Sequence, residues 1–148
     1  MPRRQVILQA GNYYHVYNRG NNRQLIFFER ENYIYFLRQL RNHLITHGVD
    51  ILAYCLIPNH YHLLVHLNTN RFSNLMQAFT LSYTKAINKR YQRVGSLFQG
   101  RFEAIHVGAS HFCKKHFFYY SAVPARVLYN SRAGTALSIY SLSQKDEV

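Results

Sequence analysis

The sequence predicts an α+β fold, a ferredoxin-like or RRM-like β-α-β-β-α-β antiparallel sheet with two helices on one face, followed by a C-terminal helix and tail. Three observations carry that expectation. Two long segments repeat apolar residues at the three-and-four spacing of a helix face. Four shorter runs have the length and alternation of strands. The six segments fall in an order that packs both helices on one side of the sheet and leaves the other side open.

The first strand is read at Tyr13 to Tyr17, alternating around His15 and Val16 and closed by Asn18-Arg19-Gly20. From about Arg30 to His47, Tyr33, Phe36, Leu37, Leu40 and Leu44 make one apolar helix face, and Gly48 supplies the stop. Ile51 to Ile57 and His60 to Leu67 are apolar runs of strand length, and Pro58-Asn59 between them predicts an antiparallel hairpin. A second helix is expected from about Arg71 to Gln92, striped by Phe72, Leu75, Met76, Phe79, Tyr83, Ile87 and Tyr91. After Gly95-Ser96, the alternation over Arg101 to Val107 predicts the fourth strand. Past Val107 the periodicity weakens: His111 to Ala122 suits a short third helix limited by Pro124, and Ser131 to Val148 has no clear period. The expected organisation is a core over residues 1–107 and a C-terminal segment over 108–148, with no internal repeat or low-complexity stretch.

Charge narrows the partner. Eighteen Lys and Arg against six Asp and Glu give a net charge of +12 in 148 residues, more than solubility requires, so a polyanion, nucleic acid first, is the expected partner. No apolar run approaches the ~20 residues of a membrane span, and Met-Pro-Arg-Arg opens no signal-peptide core, so a cytoplasmic protein is expected. Cys55 and Cys113 share no metal-binding or disulfide pattern, and Cys55 reads as a small core residue.

His60-Tyr61-His62 is the sharpest chemical feature. Residues two apart on a strand project to one face, so two imidazoles can meet one metal ion. Alternation sends Tyr61, Leu63, Val65 and Leu67 to the helix-covered core and His60, His62, Leu64 and His66 to the other face. Such a pair is more often two surface histidines than a site. Two imidazoles cannot saturate a divalent ion, so a site here needs a third polar ligand and leaves positions for water or phosphate oxygens.

The run Leu52-Ala53-Tyr54-Cys55-Leu56-Ile57-Pro58-Asn59-His60-Tyr61-His62-Leu63-Leu64-Val65 resembles the signature strand pair of HUH-type single-tyrosine transposases, especially the REP-associated branch. Tyr14-His15-Val16-Tyr17-Asn18-Arg19-Gly20, Ile26-Phe27-Phe28 and Gly95-Ser96-Leu97-Phe98-Gln99-Gly100-Arg101-Phe102 resemble the same family in the same order, covering roughly residues 12 to 107. The resemblance implies His60 and His62 as ligands of Mg2+ or Mn2+, and a tyrosine nucleophile on a C-terminal helix. It also implies a covalent 5′-phosphotyrosine intermediate on single-stranded or hairpin DNA, and a homodimer. A phenol is a weak nucleophile at neutral pH, and polarisation of the phosphate by a metal is what lets it attack.

The family's tyrosine segment reads approximately Tyr-Ile-His-x-Asn-Pro-Val-Arg. Against it, Tyr119-Tyr120-Ser121-Ala122-Val123-Pro124-Ala125-Arg126 keeps the tyrosine, proline and arginine. Counting back from Pro124 assigns the nucleophile to Tyr119, with Tyr120 as fallback, and the polar-ligand position falls on Val123, which has no lone pair. His116, three residues before Tyr119, would share its helix face and is an alternative third ligand. Arg3, Arg4, Arg19, Arg23, Lys85, Lys89, Arg90, Arg93 and Arg101 are candidates for a phosphate track, with Arg19, Arg23, Lys89, Arg90, Arg93 and Arg101 foremost. Three other readings compete. They are a catalytically defective binder of single-stranded or hairpin DNA, an RNA-recognition module, and a zinc hydrolase. No aromatic RNA-binding signature sits on a strand, and the six carboxylates are scattered at Glu29, Glu31, Asp50, Glu103, Asp146 and Glu147, which weakens the second and third.

Overall fold

The computed structural model describes residues 6–108. The expected third helix, Tyr119, Tyr120, His116 and Val123 lie outside the described residues, as do Arg3 and Arg4. Within them the chain runs β1 (Tyr13–Arg19), α1 (Arg30–His43), β2 (Val49–Ile57), β3 (His60–Leu67), α2 (Phe72–Arg90) and β4 (Glu103–Val107), with short 3-10 turns at Asn21–Arg23 and Ile45–His47. The strands form one sheet in the order β2-β3-β1-β4, each neighbouring pair antiparallel. This is the predicted β-α-β-β-α-β arrangement.

Element boundaries moved by a few residues for visible reasons. α1 stops at His43 and tightens into the Ile45–His47 turn, which Gly48 ends with a left-handed backbone (φ 94). β2 begins two residues before the apolar run, because Val49 pairs with Leu67 and is itself fully buried. β4 begins two residues later than the alternation suggested, at Glu103, where pairing with Tyr17 begins. β3 spans His60–Leu67, as the apolar run indicated.

One side of the sheet receives both helices. Phe36 of α1 lies within 5.0–5.2 Å, centroid to centroid, of Phe27, Tyr61, Phe79 and Tyr83, mostly edge-to-face, the arrangement that aligns ring edges with ring faces. Tyr61, Leu63, Val65 and Leu67 point into this core at 0–1 % exposure, as the alternation of β3 requires. Tyr83 carries a hydroxyl deep in it and donates to the Ile26 carbonyl at 2.6 Å, so that polar atom is satisfied rather than stranded. Burial, and then the neighbouring Tyr33, Tyr91 and Tyr35, push its phenol well above the ordinary range, and it stays protonated.

The same packing fixes the β2–β3 turn. Ile26 and Phe27 donate their backbone N–H groups to the Pro58 carbonyl at 2.8 and 3.0 Å, and Gly20 donates to the Asn59 carbonyl at 2.8 Å. Gly20 has no room for a side chain: a Cβ there would sit 2.0 Å from the Gln24 carbonyl oxygen. The start of β3 is thereby pinned from two directions.

The opposite face of the sheet is less open than the sequence suggested. A bulge between Ile51 and Ala53 shifts the β2 register, and Ala53, Leu64 and Val107 form a small buried cluster with Tyr13 and Leu52 beside it. Towards the β3 start that apolar middle gives way to polar side chains.

Candidate nucleic-acid-processing site

Strand register assembles the site. Residues directly opposite on antiparallel strands share a face. His60 therefore stands beside Arg19, and one row further along His62 stands beside Tyr17, which in turn stands beside Glu103. The following row brings His15 opposite Leu64. Four side chains from β1 and β3, His15, Tyr17, His60 and His62, thus cluster on the helix-free face.

Their rings are held. His60 and His62 lie 5.1 Å apart and nearly perpendicular (86°). The Nδ1 atom of His60 is 2.7 Å from the Asn59 amide oxygen, and Nδ1 of His62 is 3.0 Å from Nε2 of His15. A neutral imidazole has one N–H and one lone pair. Nδ1–H of His60 donates to the Asn59 amide oxygen, which leaves its lone pair on Nε2, the nitrogen a cation would take; in the tautomer in which His62 Nδ1–H donates to His15, the lone pair of His62 is on Nε2 as well. Metal-bound histidines are oriented in this way by an acceptor on the other ring nitrogen. Here the acceptors are an amide and a third imidazole.

Electrostatics favours the neutral rings. Burial pushes His60 below its ordinary value. His62 is pushed down to about 3, first by burial and then by the positive charges that His15 and His60 would place beside it. At neutral pH protons do not compete with a cation for either ring.

The histidines open into a cleft of about 570 Å³ that Tyr17, Asn18, Arg19, Arg23, Asn59, Gln99, Arg101 and Glu103 also line. Three arginines against one glutamate make its wall basic, which suits a phosphodiester. Its floor is stitched by the segment before β4: Gln99 donates from its backbone to the Arg19 carbonyl at 2.9 Å, the Arg19 guanidinium reaches the Gln99 side chain, and Asn18 donates to the Gly100 carbonyl at 3.2 Å.

Of the residues singled out in the sequence, His60, His62, Arg19, Arg23 and Arg101 come together around this cleft. Lys89, Arg90 and Arg93 do not line it. They sit at and beyond the C-terminal end of α2, where Arg90 pairs with Glu29 at 2.6 Å and Arg93 donates to Asn88 at 2.7 Å and to Gln24. Tyr119 lies outside the described residues. His15, Asn59, Gln99 and Glu103 were missed as site residues. His15 had a readable signal, since it shares parity with Tyr13 and Tyr17 on β1, but its partner depends on register between distant strands.

The donor set fits part of a divalent cation's shell. Two neutral, oriented imidazoles are borderline ligands accepted by first-row divalent ions and leave several positions for oxygen. Among the described residues no three His, Cys, Asp or Glu side chains converge on one point.

Among the described residues no helix is long and apolar enough to cross a membrane. The fold is similar to that of a REP-associated tyrosine transposase solved bound to a REP hairpin, with a TM-score of 0.57 and 17% identity over 83% of this chain and 68% of that one. It is also similar to a transposase candidate from Deinococcus radiodurans R1, with a TM-score of 0.52 and 18% identity over 82% of this chain and 96% of that one. No curated protein matches the sequence. Residues 9–116, most of the chain, match the family described as Transposase IS200 like. The strand pair carrying His60 and His62, the basic cleft above it and the four-stranded sheet that carries both all fall within that match, and the chain belongs to the IS200-like transposase family.

Proposed function

We propose that this protein nicks and transfers single-stranded DNA, cleaving at hairpin-bearing sequences through a covalent 5′-phosphotyrosine intermediate with Mg2+ or Mn2+ at His60 and His62. The observation that carries the proposal is the pair of neutral, oriented imidazoles opening into an arginine-lined cleft. Bound there, a divalent cation would supply Lewis-acid polarisation of the scissile phosphate. Asn59 and His15 hold the two ligands in the tautomer that offers Nε2. Arg19, Arg23 and Arg101 hold the strand by its phosphates, a contact that positions without reading sequence.

Tyr119 is the proposed nucleophile. Its phenol oxygen attacks the phosphorus, the P–O3′ bond breaks, and the strand leaves with a 3′-hydroxyl while its 5′-phosphate stays on the enzyme. Attack by a 3′-hydroxyl on that phosphotyrosine rejoins strands and returns the phenol, so the bond energy is conserved. The hairpin substrate is supported by the solved relative that is bound to a REP hairpin. A homodimer in which the tyrosine helix serves the partner's cleft belongs to the same proposal.

A second reading has its own support. Val123 stands where the family places a polar ligand, and among the described residues no three His, Cys, Asp or Glu side chains are grouped so as to hold a metal ion. On that reading the cleft binds hairpin DNA without cutting it. One experiment separates the two. The protein is incubated with labelled single-stranded hairpin oligonucleotides and Mn2+ or Mg2+, and a covalent protein–DNA adduct is sought on a denaturing gel. The nickase predicts a metal-dependent adduct that His60→Ala and Tyr119→Phe both abolish. An adduct that survives Tyr119→Phe moves the nucleophile to Tyr120, and tight binding with no adduct establishes the binder.

A further inference from the structure

A second aromatic and basic patch lies outside the cleft. Phe27 and Phe28 are adjacent in sequence, yet Phe27 is buried at 2 % exposure while Phe28 stands out at 39 %. The Phe28 ring meets Tyr91, the residue that ends α2, at 4.6 Å between centroids. The Arg93 guanidinium lies over Phe28 at 5.9 Å, and the Arg90 guanidinium lies over Tyr91 at 5.8 Å.

These planes are fixed in place. The Phe28 backbone N–H donates to the Asn32 amide oxygen at 2.7 Å, the Tyr91 hydroxyl donates to Glu29 at 2.5 Å, and the same carboxylate holds Arg90. Leu25 and Val94, near these rings in the chain, are also exposed, at 45 % and 93 %. Gln24 ties the patch to the chain beside the cleft. Gln24 takes the Arg93 guanidinium on its amide oxygen and donates its amide nitrogen to the Ser96 and Leu97 carbonyls at 3.1 Å. The residue before it, Arg23, lines the histidine cleft.

We propose that Phe28, Tyr91 and Arg93 form a stacking subsite for one unpaired base of the DNA strand whose backbone crosses the histidine cleft. The inference rests on the reading of that cleft as a DNA site. An exposed ring beside a second ring, with a guanidinium plane over each, offers a base aromatic and guanidinium planes to stack with, and base stacking on aromatic side chains tolerates any sequence. Lys89, Arg90 and Arg93 against Glu29 leave the patch net positive, the sign a phosphate backbone complements. The ring pair thus holds the strand at a fixed distance from the cleft, selecting for an unpaired nucleotide at one position.

The chain contains no tryptophan, so Phe28→Trp introduces a single fluorescent reporter. The probe is a dye-labelled hairpin oligonucleotide with single-stranded flanks, followed by dye anisotropy and by tryptophan emission. Stacking predicts that the oligonucleotide quenches the emission by about half or more, and that one abasic position walked along the flanks removes the quench at a single site. Phe28→Ala is expected to weaken binding of the intact oligonucleotide roughly 5- to 100-fold, the range of one stacked base, with no further loss on the oligonucleotide abasic at that site. Phe28→Leu, which keeps an apolar side chain against Tyr91 but offers no π-face, is expected to match Phe28→Ala in affinity. Unchanged affinity in Phe28→Ala, or a quench indifferent to every abasic position while DNA still binds, overturns the subsite and leaves the cleft reading intact. Emission that changes with protein concentration alone makes the patch a contact between copies and overturns it too. Failure of the unmutated protein to bind the oligonucleotide at all removes the cleft reading and the subsite together.

Discussion

The two faces of the sheet are built from the same strands and do opposite jobs. On the helix-covered face, Tyr61, Leu63, Val65 and Leu67 alternate with Phe36, Phe79 and Tyr83 from the helices in a core with almost no exposed surface. On the other face, His60 and His62 stay partly exposed, and His62 meets His15 and Tyr17. The rigidity belongs to the first face and the chemistry to the second. Two histidines on a strand can be presented at a fixed spacing only because the tyrosine between them and the leucine after them are locked below the sheet.

That division of labour can be broken most severely from below. Phe36→Ala opens a cavity among Phe27, Tyr61, Phe79 and Tyr83, and is expected to cost about 3–5 kcal/mol in denaturant-induced unfolding. A cost under about 1 kcal/mol would show that the aromatic cluster is not the centre of the core.

A smaller loss is expected from Tyr83→Phe. It keeps the ring and removes the hydroxyl, leaving the Ile26 carbonyl without its donor, for about 1–3 kcal/mol. Since Ile26 and Phe27 also hold Pro58, this variant tests whether stability and the placement of β3 are coupled. The expected sign of coupling is a broadening of the His60 and His62 ring resonances in NMR spectra, absent if the two faces are independent.

From above, His15→Leu separates positioning from packing. The substitution removes the acceptor for His62 Nδ1–H and is expected to weaken Mn2+ binding by roughly 10- to 100-fold in calorimetry, while thermal stability changes little. His15→Gln, whose amide oxygen can accept the same proton, is expected to recover part of the affinity. Equal loss in both variants would assign His15 to packing alone.

The mildest effect is on pH. The folded protein holds His62 near 3 against 6.5 for the free imidazole, so between those values the unfolded chain binds more protons than the folded one. Stability contributed by the neutral ring is therefore present above about pH 6.5 and declines as the pH falls towards 3. Because His62 is only partly buried, water screens much of this, and the expected result is a shallow slope in melting temperature that His62→Gln flattens. A slope identical in the variant would place the titration elsewhere.

Much of this was legible in the residues themselves. Periodicity identified both helices and all four strands, because each buries a stripe or an alternate row whose spacing survives in the sequence. The His60–His62 pair was legible for the same reason, two residues apart on a strand of known polarity. Charge composition pointed to a polyanion, and the strand-pair resemblance pointed to the family that residues 9–116 match. Locally encoded features of this kind need no knowledge of what lies across the sheet.

Tertiary structure decided what depends on contact between distant segments. His15 reaches His62 across 47 residues, Arg101 just before β4 and Glu103 at its start enter the cleft, and Arg90 and Arg93 are turned away from it into a separate patch with Phe28 and Tyr91. The basic residues look alike in the sequence, as one population of cations. The folded chain divides them because register and helix phase, set by the packing of Phe36, Tyr61 and Tyr83, assign each one a face.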